Sequence, residues 1–292
     1  MKIFITGGSG FIGRNLADYL APKYQIFTPT HQELELLDES AVREYLNRHK
    51  FDIVIHSAVR PGHRNAKDPS NQLYSNLYMF FNIIQNSGKF GKLIFLSSGA
   101  CYDISKPLVK IKEDGLGIYV PADEHGFSKY VIAKYIEKID NAVELRLFGI
   151  FGKYEDFAIR FISNAICKTL FDLPITIRQN RKFDYFYIED LMPVIEHFIN
   201  HDPAYKAYNV TPDESVELAI LAEKVRNISG RAPAVIINKG PLGIEYSGDN
   251  SRLKKEIAGI KFTPIDLAIE KLYKWYAENK PSISKETFLK DK

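Results

Sequence analysis

Short apolar runs alternate with amphipathic runs along the first half of the chain. Two of the apolar runs, at residues 53–55 and 93–96, are continuous and lack the polar alternation of a half-exposed strand. Continuous apolar strands are typical of a parallel sheet that is covered on both faces. Strands are predicted at residues 2–6, 24–28, 52–56, 92–97 and 143–148, and helices at 11–20, 39–50, 69–87 and 123–139. This alternation predicts an α/β fold with a doubly wound parallel sheet.

The pattern loosens after about residue 150, where shorter strands mix with helices. Short strands are predicted at 174–178, 184–188 and 234–237, and helices near 189–200, 215–229 and 264–279. We therefore predict one domain at residues 1–150 and a smaller, interleaved α/β lobe at 151–280, some segments of which return to the first domain. Residues 281–292 are polar and are predicted to form a frayed tail.

Three glycines, Gly7, Gly10 and Gly13, follow the first predicted strand, and the third of them lies in the first turn of the first predicted helix. Such a turn lets backbone N–H groups and a helix N-terminus face a pyrophosphate without side chains in the way. A glycine triplet alone is a weak signal, and an ordinary glycine-rich turn is the alternative. The strand before it and the helix after it make the stretch a predicted dinucleotide-binding turn.

Composition and charge narrow the classes of partner. The 292 residues carry a net charge of +3 without a basic run, which does not indicate nucleic-acid binding. No apolar run approaches the ~18 residues of a membrane span, and the first strand starts at once, so neither a membrane segment nor a signal peptide is expected. Cys101 and Cys167 lie far apart and are expected to be reduced in a cytoplasmic protein. His31, His56 and His63 lack metal-ligand spacing, so no metal site is predicted.

A series of short motifs follows the glycine turn in a fixed order. They are D-I-V-I-H-S-A at 52–58, Asn76 with Asn82, S-S-G-A-C-Y at 97–102, G-F-S-K at 126–129, Y-N-V at 208–210 and S-V-E-L-A at 215–219. Together with the glycine turn they resemble the extended short-chain dehydrogenase/reductase family, in its branch of NAD-dependent nucleotide-sugar epimerases, dehydratases and reductases. The resemblance covers nearly the whole chain. It implies a Rossmann-like sheet, an NAD or NADP cofactor and a nucleotide-sugar substrate.

The resemblance also implies a catalytic serine, tyrosine and lysine, of which the tyrosine is missing. Ser98 and Lys129 match the serine and the lysine, but the tyrosine position is His125. In one interpretation His125 is the acid/base, with a suitable intrinsic pKa near 6.5 but a reach roughly 2 Å shorter than that of tyrosine. In a second, Tyr130 acts with Lys134, although five residues on a helix turn its side chain about 140° away from position 125. In a third, the chain binds without catalysing.

Cofactor contacts follow from the same resemblance. The residues that it assigns to the cofactor are Gly7, Gly10, Phe11, Ile12, Gly13, Arg14, Glu35, Leu36, Ala58, Lys129 and Phe148. The predicted second strand ends in T-P-T-H, without the acidic residue that NAD-binding proteins usually place there. Arg14 could meet a 2′-phosphate instead, so the prediction leans to NADP over NAD.

Two positions on the substrate side depart from the family pattern. Gly149 stands where an asparagine often contacts the nucleotide sugar, and Phe183 stands where an arginine often contacts the diphosphate. A diphosphate still needs a cationic partner, and arginine is well shaped for it. Arg181 and Arg178 precede Phe183, and we favour Arg181 as the substrate-binding residue.

Missing residues narrow the reaction further. Gly99 replaces the first acid of the pair that sugar 4,6-dehydratases carry after the serine, and Ala100 replaces a 3,5-epimerase cysteine. The main hypothesis is therefore an NAD(P)-dependent oxidoreductase or epimerase that acts at C4 of a nucleotide-activated (deoxy)hexose, for cell-surface glycan synthesis. The alternative is a catalytically degenerate dinucleotide- or nucleotide-sugar-binding protein, acting as a sensor or partner subunit. The family also implies a homodimer formed through the helices predicted at 69–87 and 123–139.

Overall fold

The computed structural model describes residues 1–62 and 70–289. The strands are β1 (Lys2–Thr6), β2 (Gln25–Phe27), β3 (Phe51–His56), β4 (Phe90–Ser98), β5 (Leu108–Ile111), β6 (Ala142–Leu147), β7 (Ile150–Phe151), β8 (Ile175–Gln179), β9 (Lys182–Phe183), β10 (Phe186–Tyr187), β11 (Ala207–Val210), β12 (Val216–Glu217), β13 (Val235–Lys239) and β14 (Tyr246–Gly248). The helices are α1 (Phe11–Leu20), α2 (Glu39–His49), α3 (Gln72–Ile84), α4 (Glu124–Ile136), α5 (Phe161–Leu170), α6 (Ile188–Asn200), α7 (Leu218–Ser229), α8 (Ser251–Glu256), α9 (Ile265–Glu278) and α10 (Glu286–Leu289). Within these residues, no helix has the length and apolar character needed to cross a membrane.

A six-stranded sheet in the order β11-β6-β4-β3-β1-β2 forms the centre of the molecule, and each pair of neighbours is parallel. Alternate residues of each strand enter two separate cores, because successive side chains of a strand point to opposite faces. Ile3 and Ile5 join the core that contains α1 and α6, whereas Phe4 packs with α2, α3 and α4. The predicted α/β class with a doubly wound, Rossmann-like sheet is therefore confirmed.

A second sheet crosses between the two halves of the chain. Its four strands lie in the order β12-β9-β14-β5, so β5 from the first half pairs with strands that follow residue 180. The second half also returns β11 to the edge of the main sheet, beside β6. The second sheet thus places β9 and β14 close to the carboxyl end of β4.

A buried polar network fixes this junction. Arg146 on β6 forms an ion pair with Glu144 at 2.9 Å and donates to the Tyr102 hydroxyl at 2.6 Å. That hydroxyl donates to Asn209 on β11 at 2.7 Å, and the Asn209 backbone N–H donates to the Glu113 carboxylate at 2.8 Å. Buried polar groups need such partners to offset their lost hydration, so the network ties β6, β11 and the segment before α4 into one unit.

Several element predictions differ from the structure, and two of the differences have a clear physical cause. The strand predicted at 184–188 is shortened to β10, because the Asp184 carboxylate is held by Thr211 Oγ1 and by the Gly248 N–H, and Ile188 already begins α6. The helix predicted at 123–139 begins one residue later, since Asp123 is its N-cap and accepts from the Gly126 N–H at 2.8 Å.

The expectation of a frayed C-terminal tail is wrong for residues 281–289. This segment forms a 3₁₀ turn and α10, and it buries Ile283 and Phe288 in the larger core. The Phe288 ring lies 5.9 Å from Phe157 and 6.0 Å from Phe171. Two apolar residues are enough to dock a segment whose average composition is polar.

Candidate active site

The glycine turn after β1 is closed so tightly that side chains are excluded. Gly7 has a φ of 68°, which favours glycine, and a Cβ added there would lie 2.9 Å from the Ala58 Cα. A Cβ on Gly13 would come closer than 3.0 Å to the carbonyl oxygen of Gly7. Gly10 donates its N–H to that carbonyl at 2.9 Å and precedes α1. The turn leaves the first N–H groups of α1 free of covering side chains, which suits a pyrophosphate.

The end of β3 is fixed against this turn by Thr6. Its hydroxyl accepts from the backbone N–H groups of Ser57 at 3.1 Å and Ala58 at 3.0 Å, and it lies 2.8 Å from His56 Nδ1. Burial and the nearby Lys129 charge lower the pKa of His56 to about 3. His56 is therefore neutral and orients the Thr6 hydroxyl. The Thr6 hydroxyl in turn holds the backbone of Ala58, which the sequence predicts to contact the cofactor.

A pocket opens between the glycine turn and the segment after β2. The residues that line it are Phe4, Thr6, Gly7, Gly8, Ser9, Pro29, Thr30, His31, Leu34, Leu36 and Ala58. Leu36 is buried in its wall, as expected for an adenine contact, whereas the Glu35 carboxylate accepts from the Leu37 N–H at 2.9 Å and lies 3.6 Å from His31. In the described part of the chain, no carboxylate lines this pocket. The position of the pocket beside the glycine turn fits the adenosine end of a dinucleotide.

Arg14 does not line the pocket, which weakens the argument for NADP. Its guanidinium lies 3.8 Å from the ring centroid of Tyr154, and the same ring meets Trp275 edge-on at 5.6 Å. A cation over an aromatic face is a favourable contact in its own right. Phe11 and Ile12, in the first turn of α1, are half-buried and pack against the larger core.

Ser98 and the Lys129 ammonium both lie near the carboxyl end of β4. Ser98 is the last residue of β4 and accepts from the Ala100 N–H at 3.2 Å, which caps the short 3₁₀ helix at Gly99–Tyr102. Lys129 extends from α4 beneath the sheet, where its Nζ donates to the Leu96 carbonyl at 3.1 Å. Burial lowers the pKa of Lys129 to about 8, although the Glu144 charge opposes this shift. The ammonium is thus held inside the protein, and no carboxylate of the described residues forms an ion pair with it.

His125 lies in the first turn of α4, on the same side as Ser98. A Cβ on the adjacent Gly126 would lie 2.9 Å from the Ala100 carbonyl oxygen, so this turn packs directly against the 3₁₀ helix that follows Ser98. Burial lowers the pKa of His125 to about 4, with further lowering by Lys129 and Arg160. The imidazole is therefore neutral at pH 7.

Tyr130 faces a different part of the molecule. Its hydroxyl and the Lys134 side chain both approach Gly117, at 3.7 and 3.9 Å from the position of a Cβ there. Lys134 Nζ also pairs with Glu137 at 3.0 Å. The literal Y-x-x-x-K pair is thus placed beside the loop at Gly117, and the helix rotation expected from the sequence accounts for this.

Gly149 and Phe183, the two substrate-side positions that depart from the family pattern, pack against each other. A Cβ on Gly149 would come closer than 3.0 Å to the Asp184 carbonyl oxygen and would lie 2.7 Å from the Phe183 ring. The space that an asparagine side chain would need is therefore filled. Phe148, expected to contact the cofactor, is buried in the same cluster, with its ring 4.9 Å from that of Tyr246.

The two candidate arginines, Arg178 and Arg181, differ in burial. Arg178 is exposed, whereas Arg181 is half-buried, with its guanidinium 5.1 Å from the Phe183 ring centroid. Its Nε is buried and has no hydrogen-bond partner among the described residues. Burial lowers the pKa of Arg181, an effect that Tyr185 and Tyr246 oppose. A buried N–H donor without a hydrogen-bond partner is what we expect of a residue that binds an anionic ligand.

Sequence reasoning missed Tyr246, which enters this region from β14. No motif surrounds it, and β14 has only three residues. Its neighbours are separated from it by about a hundred residues of sequence, so only the pairing of β14 with β5 and β9 reveals the contact.

Metal chemistry gains no support from the described residues, in which no three His, Cys, Asp or Glu side chains form a metal-binding group. His63 lies outside these residues.

Comparisons with known proteins agree with this geometry. A relative that spans nearly the whole chain is the GDP-L-colitose synthase of Yersinia pseudotuberculosis, which is 24% identical and covers 96% of this chain and 99% of its own length. The dTDP-4-dehydro-6-deoxyglucose reductase of Escherichia coli is 26% identical, with 93% and 96% covered. Among solved structures, the GDP-mannoheptose C4 reductase of Campylobacter jejuni with NADP bound superposes with a TM-score of 0.80 at 20% identity, covering 94% of this chain and 98% of that one.

The family itself is established by a match to more than two thirds of the chain. The sequence model of the NAD dependent epimerase/dehydratase family matches residues 3–211, which include the glycine turn, Ser98, Lys129 and β11. The chain therefore belongs to the NAD dependent epimerase/dehydratase family, as the order of its motifs predicts.

Proposed function

We propose that the protein is an NAD(P)-dependent nucleotide-sugar oxidoreductase that acts at C4 of a (deoxy)hexose, with reduction of a 4-keto sugar as its reaction. The observation that carries the proposal is that Ser98 and the Lys129 ammonium both lie near the carboxyl end of β4, at the same edge of the parallel sheet as the glycine turn. Ligands of open α/β sheets bind at this edge. Relatives named as 4-keto sugar reductases support the choice of reaction.

Each residue has a separate task in this proposal. The glycine turn fits a pyrophosphate because no Cβ stands between the ligand and the N–H groups of α1. When bound, the reduced nicotinamide supplies the hydride. The Ser98 hydroxyl hydrogen-bonds the sugar oxygen, and Lys129 holds the nicotinamide ribose. A proton must also reach the oxygen, and His125 could relay one directly or through a water molecule.

Cofactor choice follows from the pocket after β2. Its lining offers no carboxylate to the ribose hydroxyls, which favours NADP over NAD. His31 and Thr30 are the polar side chains that line this end. Arg14 is not required for this preference, because it stacks on Tyr154.

Arg181 is proposed as the diphosphate ligand. Replacing it with glutamine is expected to weaken the binding of a nucleotide sugar by about 10- to 100-fold, since a charge-assisted hydrogen bond is worth about 1.5–3 kcal/mol. Arg178→Gln is the matched control and should stay within twofold, because its side chain is exposed. Calorimetric titration of each variant with a sugar nucleotide measures the difference, and equal losses in the two variants would contradict this assignment.

A cofactor assay tests the function directly. Absorbance at 340 nm is followed with a panel of nucleoside-diphosphate 4-keto-6-deoxysugars, with NADH and NADPH in parallel. We expect oxidation of one reduced cofactor by at least one sugar of the panel, with NADPH preferred. Silence across the panel, with cofactor binding intact, would overturn the proposed reductase and favour a redox-neutral 4-epimerase.

A binding protein without catalysis is the second candidate, because the family's tyrosine is replaced by His125 and the cleft beside Gly149 is filled by Phe183. It predicts tight binding of the cofactor or sugar nucleotide with no turnover. His125→Tyr separates the cases further. Activity that appears only in this variant would show that the natural chain lacks a proton donor.

We also propose a homodimer formed through α3 and α4. Tyr74 and Tyr78 on α3 stack at 5.1 Å and are 59% and 37% exposed, and Tyr135 on α4 is 43% exposed. Such large exposed rings on adjacent helices are typical of an interface. Light scattering of the purified protein would test it.

A further inference from the structure

Tyr246 is held rigidly at the boundary between the two sheets. It is the first residue of β14 and is 5% exposed. Its ring stacks on Phe183 at 4.5 Å and packs against Phe148 at 4.9 Å. Its carbonyl also accepts from the Asp184 N–H at 3.1 Å. Ring and backbone are therefore fixed, and the hydroxyl is the part of the side chain that points out of the cluster.

The hydroxyl lies directly beside the catalytic serine. A Cβ on Gly99, the residue after Ser98, would come closer than 3.0 Å to the Tyr246 hydroxyl oxygen. The hydroxyl thus occupies the place that any side chain at position 99 would take. The nearby Ser98 side chain also lowers the pKa of this phenol. Glycine at position 99 and tyrosine at position 246 are two parts of one arrangement.

The reaction needs a proton that His125 is poorly suited to give. Its pKa is lowered to about 4, so the imidazole carries no extra proton at pH 7. A histidine nitrogen also stops roughly 2 Å short of a tyrosine oxygen, and an error of about 1 Å can cost a hundredfold in rate. Burial raises the pKa of the Tyr246 phenol, so this group keeps its proton at pH 7. Ser98 and Arg181 oppose this shift without reversing it.

We infer that Tyr246 donates the proton to the sugar oxygen beside Ser98, in place of the tyrosine that the chain lacks at position 125. The inference rests on the proposed function and deepens it. It explains why Gly99 carries no side chain and why a buried phenol ends at Ser98. It also means that the short strand β14 supplies the proton donor of the reaction.

The step balances as a ketone reduction. The carbonyl carbon gains the hydride, with its electron pair, from the dihydronicotinamide, and the carbon–oxygen π bond breaks. The oxygen takes the proton of the Tyr246 hydroxyl, which leaves a phenolate. The products are the alcohol, the oxidised cofactor and the phenolate, which regains its proton from water. Arg181 stabilises the phenolate, since its charge already lowers the pKa of Tyr246.

Tyr246→Phe tests the inference with little risk to the fold, because the ring and its packing remain. We expect kcat for the best sugar of the panel to fall by about 100-fold or more, within the usual range for a lost acid. The Kd of the cofactor should stay within threefold, whereas KM for the sugar should rise by up to about tenfold, because the hydroxyl also hydrogen-bonds the sugar oxygen. Tyr187→Phe is the matched control, since Tyr187 is also buried and its hydroxyl lies 3.4 Å from Glu189. It should keep kcat within twofold.

A loss of less than tenfold in Tyr246→Phe would overturn the inference. So would a larger loss that is matched by weaker cofactor binding, because the effect would then be structural. Wild-type turnover of the panel is measured first and tests the proposed function separately. Should the wild type be inactive, calorimetry with the oxidised cofactor and a nucleoside-diphosphate hexose replaces turnover. A Kd about tenfold weaker in Tyr246→Phe would support the contact, and equal Kd values, or binding by neither protein, would overturn it.

Discussion

Replacing Gly13 with alanine is expected to abolish cofactor binding. The added Cβ would come closer than 3.0 Å to the carbonyl oxygen of Gly7 and would lie 2.8 Å from its carbonyl carbon. Both atoms belong to the backbone, so no rotamer change can relieve the clash and the turn must open. Opening moves the N–H groups that face the pyrophosphate. Loss of two charge-assisted hydrogen bonds, each worth about 1.5–3 kcal/mol, corresponds to at least about a 100-fold weaker Kd.

Fluorescence titration with NADH and NADPH measures this loss. Gly88→Ala is the matched control, because a Cβ on Gly88 meets no atom within 4 Å. It should bind both cofactors as the wild type does. A Gly13→Ala protein that binds either cofactor within tenfold of the wild type would show that the turn does not form the pyrophosphate site.

Replacing Lys129 with methionine is expected to remove turnover and, at the same time, to stabilise the fold. Methionine keeps the length of the side chain but not the ammonium that the proposed function places at the nicotinamide ribose. We expect kcat/KM to fall by about 100-fold or more. In the folded chain Nζ donates to the Leu96 carbonyl, and within residues 1–62 and 70–289 no carboxylate forms an ion pair with it. The stability gain follows from that buried charge.

The sign of the stability effect comes from the pKa of Lys129, which is about 8 in the folded protein and 10.5 when unperturbed. The unfolded chain therefore holds the proton more tightly, and this gap corresponds to about 3 kcal/mol against folding at pH 7. The variant should unfold at a higher temperature than the wild type at pH 7. Its advantage should shrink as the pH rises from 8 to 10.5, because the wild-type ammonium then loses its proton.

Thermal unfolding without cofactor, measured across this pH range, checks the prediction. Lys138→Met is the control, since Lys138 is an exposed lysine just after α4. It should change neither turnover nor the pH dependence of unfolding. A Lys129→Met protein that is less stable than the wild type at pH 7 would mean that the buried ammonium does not destabilise the folded state.

The five strands of the main sheet that precede residue 150, the helices between them and the cofactor turn could be predicted because their signals are local. Continuous apolar runs mark the strands of a covered parallel sheet, and Gly7 and Gly10 stand between a strand and a helix whose first turn contains Gly13. The helix period likewise separates Tyr130 from position 125. Each of these inferences needs no more than about fifteen consecutive residues, so tertiary structure had little chance to overrule them.

Other features depend on residues that are distant in sequence. Tyr246 reaches Ser98 only because β14 pairs with β5 and β9. Arg14 is drawn to Tyr154, a contact that no local pattern signals. The docking of Phe288 depends on a cleft formed by other elements, so the polar composition of the last residues gave the wrong expectation. Sequence patterns report which side chains a segment carries, but not which partners the fold brings to them.

The contact between position 149 and residues 183–184 makes the two substitutions interdependent. An asparagine introduced at Gly149 would meet the Asp184 carbonyl and the Phe183 ring before it could reach a ligand. An arginine introduced at position 183 would remove the ring that stacks on Tyr246. Neither change alone can restore the contacts that the family resemblance implies for these two positions. Restoring them requires changes at positions 149 and 183 and in the backbone between β9 and β10 together.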